Sequence, residues 1–205
     1  IPVKREKLFR IGVRLFATLN VAIYKLSGGR LFSKGPADRP ICLVTMTGRK
    51  TGKKRPPPRA DKLIDAFQNA IAKVLEQIEG PILIGGKSLG GRVAAMTAGD
   101  PALNARVAGA VCLGYPFHPD GKPEDLRLAP LQETSLPCLI AQGDRDPFGN
   151  QTEIAGYDLP DNVEIIFMED GSHDLAPRGK SPATWDGNMQ QAAAAVKSFA
   201  GRLRS

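Results

Sequence analysis

A short apolar segment that ends at a serine between glycines constrains the fold of this chain more than any other feature. Residues 81–84 read Pro-Ile-Leu-Ile, Gly86, Ser88 and Gly90 follow, and an Ala-rich helical pattern begins directly afterwards. A strand, a sharp turn and a helix in this order are the setting that holds a nucleophilic serine above a parallel sheet. We interpret the segment as a nucleophile elbow. A glycine-rich turn with an incidental serine is the alternative.

The helix predicted after Ser88 adds a hydrogen-bond donor to this turn. The first N–H groups of a helix have no acceptor within the helix, and they carry a partial positive charge. We therefore expect the Leu89 N–H to stabilise an oxyanion that forms next to Ser88.

Strand and helix patterns alternate along the rest of the chain. A helix is predicted over residues 61–79, and strands over residues 107–113, 137–142 and 163–168. Short helices are predicted near residues 124–133 and 150–156, and a final helix over residues 186–202. Such alternation predicts an α/β fold in which helices cover both faces of a parallel sheet. The 205 residues and 42% hydrophobic content suit one such domain with an appendage.

The first 59 residues differ in character from the remainder. Residues 3–26 predict one amphipathic helix, which either lies on a membrane surface as a peripheral contact or packs on the domain. Its apolar stretch is too short to span a bilayer. A strand is predicted at residues 41–46, and three prolines at residues 56–58 predict an extended connector. The net charge of +7 arises from a large excess of basic residues in this part, but no nucleic-acid motif accompanies it, so we expect no nucleic-acid partner.

The three cysteines, Cys42, Cys112 and Cys138, each lie in an apolar run that predicts a strand. Their odd number and their spacing fit neither a disulfide framework nor a zinc site. We interpret them as reduced, buried thiols of a cytoplasmic protein. We expect neither a metal nor a cofactor.

Two polar loops downstream of Ser88 offer the groups that a serine nucleophile needs. A base must remove the hydroxyl proton, and an acid must hold that base in one tautomer. His173 follows the strand at residues 163–168 and is the predicted base, while Asp146 follows the strand at residues 137–142 and is the predicted acid. The order Ser, acid, His is that of α/β hydrolases. Asp144, as a turn residue paired with its neighbour Arg145, is the alternative acid.

His118, the other of the two histidines, is a weaker candidate for the base. Together with Tyr115 it follows an earlier strand, and we expect both to line a substrate pocket. Lys87, beside the nucleophile, is expected either to favour anionic groups in that pocket or to bond loop carbonyls. Arg92 is expected to anchor a neighbouring loop.

Several motifs resemble those of a known family. The segments Gly-Gly-Lys-Ser-Leu-Gly-Gly-Arg-Val-Ala, Leu-Gly-Tyr-Pro-Phe-His-Pro, Gln-Gly-Asp-Arg-Asp-Pro-Phe-Gly and Asp-Gly-Ser-His-Asp-Leu lie within residues 52–203. They resemble the KANL/Tex-type α/β-hydrolase family, which is related to dienelactone hydrolases and whose substrates are largely unassigned. The resemblance implies Ser88, Asp146 and His173 as the catalytic triad.

The beginning of the chain resembles a different family. Residues 19–30 and the segment Leu-Val-Thr-Met-Thr-Gly-Arg-Lys-Thr-Gly at residues 43–52 are similar to the start of deazaflavin (F420)-dependent nitroreductases. In that family the Thr-Gly-Arg-Lys segment helps to hold the cofactor tail. We therefore predict two parts, a nitroreductase-like fragment over residues 1–51 and a hydrolase domain over residues 52–205.

The hydrolase family normally begins with a strand and a His-Gly-type loop that supplies a second oxyanion donor. The chain has no such segment and is expected to be truncated relative to the family, with the Leu89 N–H as its one donor. The main prediction is a serine hydrolase that acts on a small ester, thioester or lactone. The alternatives are a catalytically impaired hydrolase-like interaction domain and an F420-binding reductase remnant. The patterns predict no oligomeric state.

Overall fold

A computed structural model describes residues 34–35, 39–40, 59–103 and 105–203 of the chain. The chain divides into two compact units, Ile1–Lys53 and Lys54–Ser205. In the first unit, the described residues form two short antiparallel strands, β1 (Lys34–Gly35) and β2 (Arg39–Pro40). The helix predicted over residues 3–26, the strand predicted at residues 41–46 and the tri-proline connector lie outside the described residues. The division into two functional domains stays a prediction.

The second unit is built on four parallel strands. They are β3 (Ile82–Lys87), β4 (Val107–Leu113), β5 (Cys138–Gly143) and β6 (Val163–Met168), and they lie side by side in that order. Strand β5 is buried along its whole length, as expected for a central strand covered on both faces. Because the strands are parallel, their carboxyl ends meet at one edge of the sheet, where β3 ends at Lys87 opposite Leu113.

Helices lie on both faces of this sheet. They are α1 (Ile64–Leu75), α2 (Leu89–Ala98), α3 (Ala129–Gln132), α4 (Gln151–Ile154) and α5 (Trp185–Arg202), and a 3-10 turn (Ala60–Leu63) precedes α1. Ala110 and Cys112 of β4 pack with α1 and α2, whereas the alternate residue Val111 packs with Phe199 of α5. Alternation along the strand thus builds a core on each face. The predicted α/β-hydrolase-like sheet with helices on both faces is confirmed.

Three helices are shorter than predicted, and one of them is α4, which covers only Gln151–Ile154 of the predicted residues 150–156. Helix α1 ends at Leu75, and the Arg106 guanidinium donates hydrogen bonds to the carbonyls of Leu75 and Gly80 at 2.9 and 3.0 Å. The helix predicted near residues 124–133 is the single turn Ala129–Gln132. The segment before it is held in another conformation, because the Arg127 N–H donates to the Phe117 carbonyl at 2.7 Å.

Cys112 and Cys138 are free and buried, as predicted, and Cys42 lies outside the described residues. A hydrogen bond with Cys138, together with burial, raises the pKa of the Cys112 thiol. The thiol therefore stays protonated and unreactive at neutral pH. Within the described ranges, no helix has both the length and the apolar character that a membrane span requires.

Candidate active site

Ser88 occupies the turn between β3 and α2 in a backbone conformation that few side chains adopt. Its φ is 53° and its ψ is −118°. A residue held in such a sparsely populated region costs about 1–3 kcal/mol and persists only when its surroundings impose it. Here the Ser88 N–H donates to the Leu113 carbonyl at 3.0 Å, which ties the turn to the end of β4. The half-buried serine therefore stands at the carboxyl edge of the sheet.

Glycines make this turn possible, although not in the way that the Gly-x-Ser-x-Gly spacing suggests. A Cβ at Gly86 would lie 2.7 Å from the Gly90 carbonyl carbon, and a Cβ at Gly91 would lie 2.9 Å from the Gly86 carbonyl oxygen. Neither position has room for a side chain. A Cβ at Gly90 itself would meet nothing within 4 Å. The close packing of strand on helix therefore depends on Gly86 and Gly91.

The structure brings three of the predicted site residues together. His173 Nε2 lies 2.8 Å from Ser88 Oγ, and His173 Nδ1 lies 2.8 Å from Asp146 Oδ2. The three side chains come from the loops after β3, β5 and β6, whose carboxyl ends share one edge of the sheet. We call them the Ser88–His173–Asp146 trio.

The surroundings of Asp146 determine which histidine nitrogen carries the proton. Asp146 is fully buried, and its two oxygens accept hydrogen bonds from the Gln142 amide and the Phe148 N–H, both at 2.9 Å. Donors of this kind stabilise an ionised carboxylate, which can only accept from His173. His173 Nδ1 therefore carries the proton, and Nε2 is left to accept the hydrogen of the Ser88 hydroxyl.

Gln142 is a site residue that the sequence analysis missed. It is fully buried, and its amide nitrogen also lies within hydrogen-bond distance of the Tyr115 and Gly149 carbonyls, while its amide oxygen accepts from the Tyr115 N–H at 2.8 Å. A buried amide with this many partners orders the loop that presents Asp146. The available signal was a lone polar side chain directly after the apolar run at residues 138–141, inside the buried strand β5.

Two packing contacts position His173, one with its ring and one with the backbone of its loop. The Phe148 ring lies 4.4 Å away, centroid to centroid, at a tilt of 50°. At the end of β5, a Cβ on Gly143 would lie 2.4 Å from the Gly171 and Ser172 carbonyl oxygens. The loop that carries His173 thus packs directly on the backbone of the sheet, and this close approach requires glycine at residue 143.

Asp144, the alternative acid, lies elsewhere in the site. Its Oδ2 accepts a hydrogen bond from the Asp170 N–H at 2.9 Å. The ion pair of Arg145 is also different from the prediction, because Arg145 pairs with Asp170 at 2.6 Å rather than with Asp144. The hydrogen bond from Arg178, opposed in part by desolvation, holds the pKa of Asp170 well below its usual range. Asp170, before His173 in the loop, is thus bonded to Arg178, after His173, and to Arg145 of the neighbouring loop.

Lys87 lies at the rim of the site and is paired. Its ammonium group lies 2.6 Å from a carboxylate oxygen of Asp174, and both side chains are substantially exposed. The Trp185 indole N–H donates to the Asp174 carbonyl at 3.2 Å. The residues next to Ser88 and His173 are thus joined at the surface, although exposed pairs contribute little to stability.

The other two residues predicted to line a pocket are buried and have internal partners. Tyr115 is fully buried, and its hydroxyl donates to the Arg127 carbonyl at 2.8 Å. His118 is 2% exposed, and its ring nitrogens face the Pro119 carbonyl at 2.8 Å and the Glu153 carboxylate at 3.3 Å. These contacts give both residues a structural part, and their contact with substrate stays a prediction.

The start of α2 presents the Leu89 N–H beside Ser88. Its role as an oxyanion donor stays a prediction, since it depends on a bound acyl group. In the part of the chain that the structure describes, no group of three or more His, Cys, Asp or Glu side chains is arranged to hold a metal ion.

Comparison with known proteins agrees with this architecture. The sequence model of a family described as "Alpha/beta hydrolase domain" matches residues 45–201. A solved α/β serine hydrolase homologue from Coxiella burnetii is similar at 19% identity with a TM-score of 0.52, over 73% of this chain and 65% of that one. The chain therefore spans just under two thirds of that protein. No curated protein matches the chain.

Two further solved structures are similar at lower scores. An esterase domain from Rhodothermus marinus shares 16% identity at a TM-score of 0.49, over 68% of each chain. A serine hydrolase without a lid from Xanthomonas campestris shares 18% identity at a TM-score of 0.48, over 71% of this chain and 60% of that one. At these identities the Coxiella structure supports the fold alone.

Proposed function

Because the chain belongs to the alpha/beta hydrolase domain family, we propose that it is a serine hydrolase that cleaves an ester, thioester or lactone of a small acyl substrate. A fold of this kind hosts many activities, so the proposal must rest on the site. The observation that carries it is the pair of 2.8 Å contacts that joins Ser88 to His173 and His173 to Asp146.

The first half of the proposed reaction transfers the acyl group to the protein. His173 Nε2 removes the hydroxyl proton as Ser88 Oγ attacks the substrate carbonyl carbon, and a tetrahedral intermediate forms. The C–O or C–S bond to the leaving group then breaks, and His173 returns the proton to the departing alkoxide or thiolate. Asp146 stays ionised and stabilises the imidazolium. The product of this half is an acyl-Ser88 ester.

The second half releases the acid. A water molecule gives a proton to His173 Nε2 and attacks the ester carbonyl, and collapse of this second intermediate breaks the bond to Ser88 Oγ, which regains the proton. In both intermediates the Leu89 N–H is the proposed oxyanion donor. A single donor of this kind is typically worth about 100- to 1000-fold in rate, so the Leu89 N–H makes a large contribution to the proposed chemistry.

The resemblance to KANL/Tex-type and dienelactone hydrolases makes small, non-peptide acyl compounds the first substrates to test. The free thiols of Cys112 and Cys138 support a reducing, cytoplasmic compartment. No observation among the described residues favours the interaction domain or the F420-binding remnant. We therefore put forward the hydrolase as the function.

A fluorophosphonate probe tests the proposal directly, because it reacts with a serine that a neighbouring base has activated. We expect stoichiometric labelling of Ser88 in the folded protein, none in Ser88→Ala, and a loss of at least about 1000-fold in labelling rate in His173→Gln. Folded wild-type protein that is not labelled would exclude the hydrolase.

The two candidate acids provide a matched pair for the same assay. Asp146→Asn is expected to reduce the labelling rate by about 10³- to 10⁴-fold, since an amide at this position favours the wrong histidine tautomer. Asp144→Asn carries the same chemical change outside the trio and should keep most of the rate. Equal losses in the two variants would contradict the assignment of the acid.

A further inference from the structure

Arg92 lies one helical turn after Ser88. Its N–H donates to the Ser88 carbonyl at 3.0 Å, as the first hydrogen bond of α2. Side chains of a helix lean towards its N-terminus, so the Arg92 side chain covers the surface on the Ser88 side of α2. A cationic side chain therefore lies close to the proposed nucleophile.

The Arg92 guanidinium does not anchor a loop, contrary to the prediction from the sequence. Its Nε is buried and has no hydrogen-bond partner. No carboxylate among the described residues lies within ion-pair distance of it. A buried donor on a charged group is rarely left unpaired, and each such group calls for an explanation.

Arg127 is a second cation near Arg92, because helix α3, which begins two residues after Arg127, packs against α2. The loop before α3 carries it, and its backbone bonds to Phe117 and Tyr115 hold that loop. Desolvation, followed by the charge of Arg92, lowers the pKa of Arg127, whereas Asp125 acts in the opposite direction without coming within ion-pair distance. Two like charges are thus kept close together in a half-buried setting.

Tyr115 is the neighbour that the two arginines share. Burial raises the pKa of its hydroxyl, and the charges of Arg92 and Arg127 both act to lower it. Tyr115 also donates its N–H to Gln142, which donates to Asp146. Both arginine charges therefore act on a residue that is connected to the trio through Gln142.

We propose that Arg92 and Arg127 form an anion-binding subsite beside Ser88, which holds a carboxylate or phosphate group of the acyl substrate. The inference rests on the proposed function and narrows its substrate class to anionic acyl compounds. A bound oxyanion would give the buried Arg92 Nε an acceptor and would offset the repulsion between the two guanidinium groups. The planar, multi-donor guanidinium is the side chain best suited to such an anion.

Two esters of equal length test the specificity. The p-nitrophenyl monoester of glutarate carries a free carboxylate, and p-nitrophenyl pentanoate has the same chain length without a charge. We expect the wild-type protein to favour the anionic ester in kcat/KM. This preference, taken as the ratio of the two kcat/KM values, should fall about 10- to 100-fold in Arg92→Gln and in Arg127→Gln, since hydrogen bonds to charged groups contribute this much.

Arg202→Gln is the matched control. Arg202 pairs with Glu164, near the amino end of β6 and so at the opposite edge of the sheet from the site. Its loss removes one positive charge from the molecule and should leave the ratio unchanged. Arg92→Lys and Arg127→Lys keep the charge and should restore part of the preference. A ratio that Arg92→Gln and Arg127→Gln leave unchanged would overturn the subsite.

A binding measurement separates this inference from the proposed activity. We expect glutarate or inorganic phosphate to bind folded Ser88→Ala protein in isothermal titration, and to lose binding when Arg92→Gln or Arg127→Gln is added. The anion that binds more tightly identifies the carboxylate or the phosphate as the natural group. Absence of binding by both would overturn the subsite even if Ser88 is labelled by the fluorophosphonate. If the anion binds but the fluorophosphonate does not label the wild-type protein, the subsite is supported and the hydrolase is excluded.

Discussion

Gln142 is the single residue on which the geometry of the trio most depends. It fills the buried space between Tyr115 and the loop of Asp146, and its amide is shared among several backbone groups and the Asp146 carboxylate. A carboxylate that loses one of its donors is less firmly fixed in position, and it therefore orients a neighbouring histidine less well. Gln142 touches no reacting atom, so its part is that of a positioning residue.

The substitution Gln142→Leu, which keeps the approximate size of the side chain, tests this part. We expect the free energy of unfolding to fall by about 2–4 kcal/mol, because several buried groups lose their partners at about 1–3 kcal/mol each. The rate of Ser88 labelling in folded protein should fall about 10- to 100-fold as the trio loses alignment.

The same substitution at Gln132 is the control for urea unfolding and for labelling. Gln132 is exposed, and its side chain donates one hydrogen bond, to the Asp158 carbonyl at 2.9 Å. Gln132→Leu should change the stability by less than about 0.5 kcal/mol and leave labelling intact. If both variants behave alike, Gln142 has no special part in the site.

At this scale the proximity of the three predicted site residues could be predicted, and the residues that support them could not. Ser88, Asp146 and His173 follow strands in an order that parallel topology brings to one edge, so their proximity follows from the pattern. Gln142, Tyr115 and Arg92 acquire their surroundings from packing between segments that are distant in the chain. A residue that directly follows a strand is predicted to lie at the carboxyl edge of the sheet. This position does not predict whether its side chain faces solvent or the core.

The turn from β3 to α2 is the element that places Ser88, and its glycines differ in what they do. A side chain at residue 91 would press on the Gly86 carbonyl and on Cys112, whereas one at residue 90 would meet open space. The Gly-x-Ser-x-Gly motif includes Gly90, but the close contact between β3 and α2 depends on the next residue, Gly91.

Two alanine substitutions separate these neighbouring positions. Gly91→Ala is expected to lower the free energy of unfolding by about 1–3 kcal/mol, because backbone atoms must shift to admit the methyl group. Gly90→Ala should leave stability unchanged or raise it by up to about 1 kcal/mol, because alanine is favoured over glycine within a helix. Urea unfolding of the two variants measures the difference, and a larger loss at residue 90 would contradict the packing described for α2.

Strands were easier to predict than helices. Strands β4 and β6 have the predicted bounds because each is a short apolar run between polar turns. Helices α1 and α3 are shorter than predicted because tertiary hydrogen bonds, from Arg106 to Leu75 and from Arg127 to Phe117, hold the chain outside the helical conformation. Periodicity contains no information about such partners.

For the whole molecule, the loop between β6 and α5 makes the stability of the fold depend on pH. Asp170 bonds Arg178 and pairs with Arg145, and these contacts lower its pKa. A carboxyl whose pKa is lower in the folded than in the unfolded state stabilises the fold at pH values above the unfolded pKa. That stabilisation is lost as the pH falls through the folded pKa.

The variant Asp170→Asn should therefore be less stable than the wild type at pH 7, and the difference should narrow as the pH falls below about 4, the ordinary pKa of an aspartate. Urea unfolding at pH 7, 5, 4 and 3 measures it. Asp161→Asn, at an exposed position, is the control and should follow the wild type throughout. A difference between Asp170→Asn and the wild type that does not change with pH would show that the carboxylate charge is irrelevant to this loop.

The hydrogen bond between Ser88 and His173 joins residues 85 positions apart in the chain. Contacts of such separation close late in folding, because the loop entropy must be offset by the structure in between. Ser88 therefore meets His173 only once the sheet formed by the residues between them is in place. In a nascent or partly unfolded chain, the Ser88 hydroxyl lacks this partner and has the reactivity of an ordinary serine.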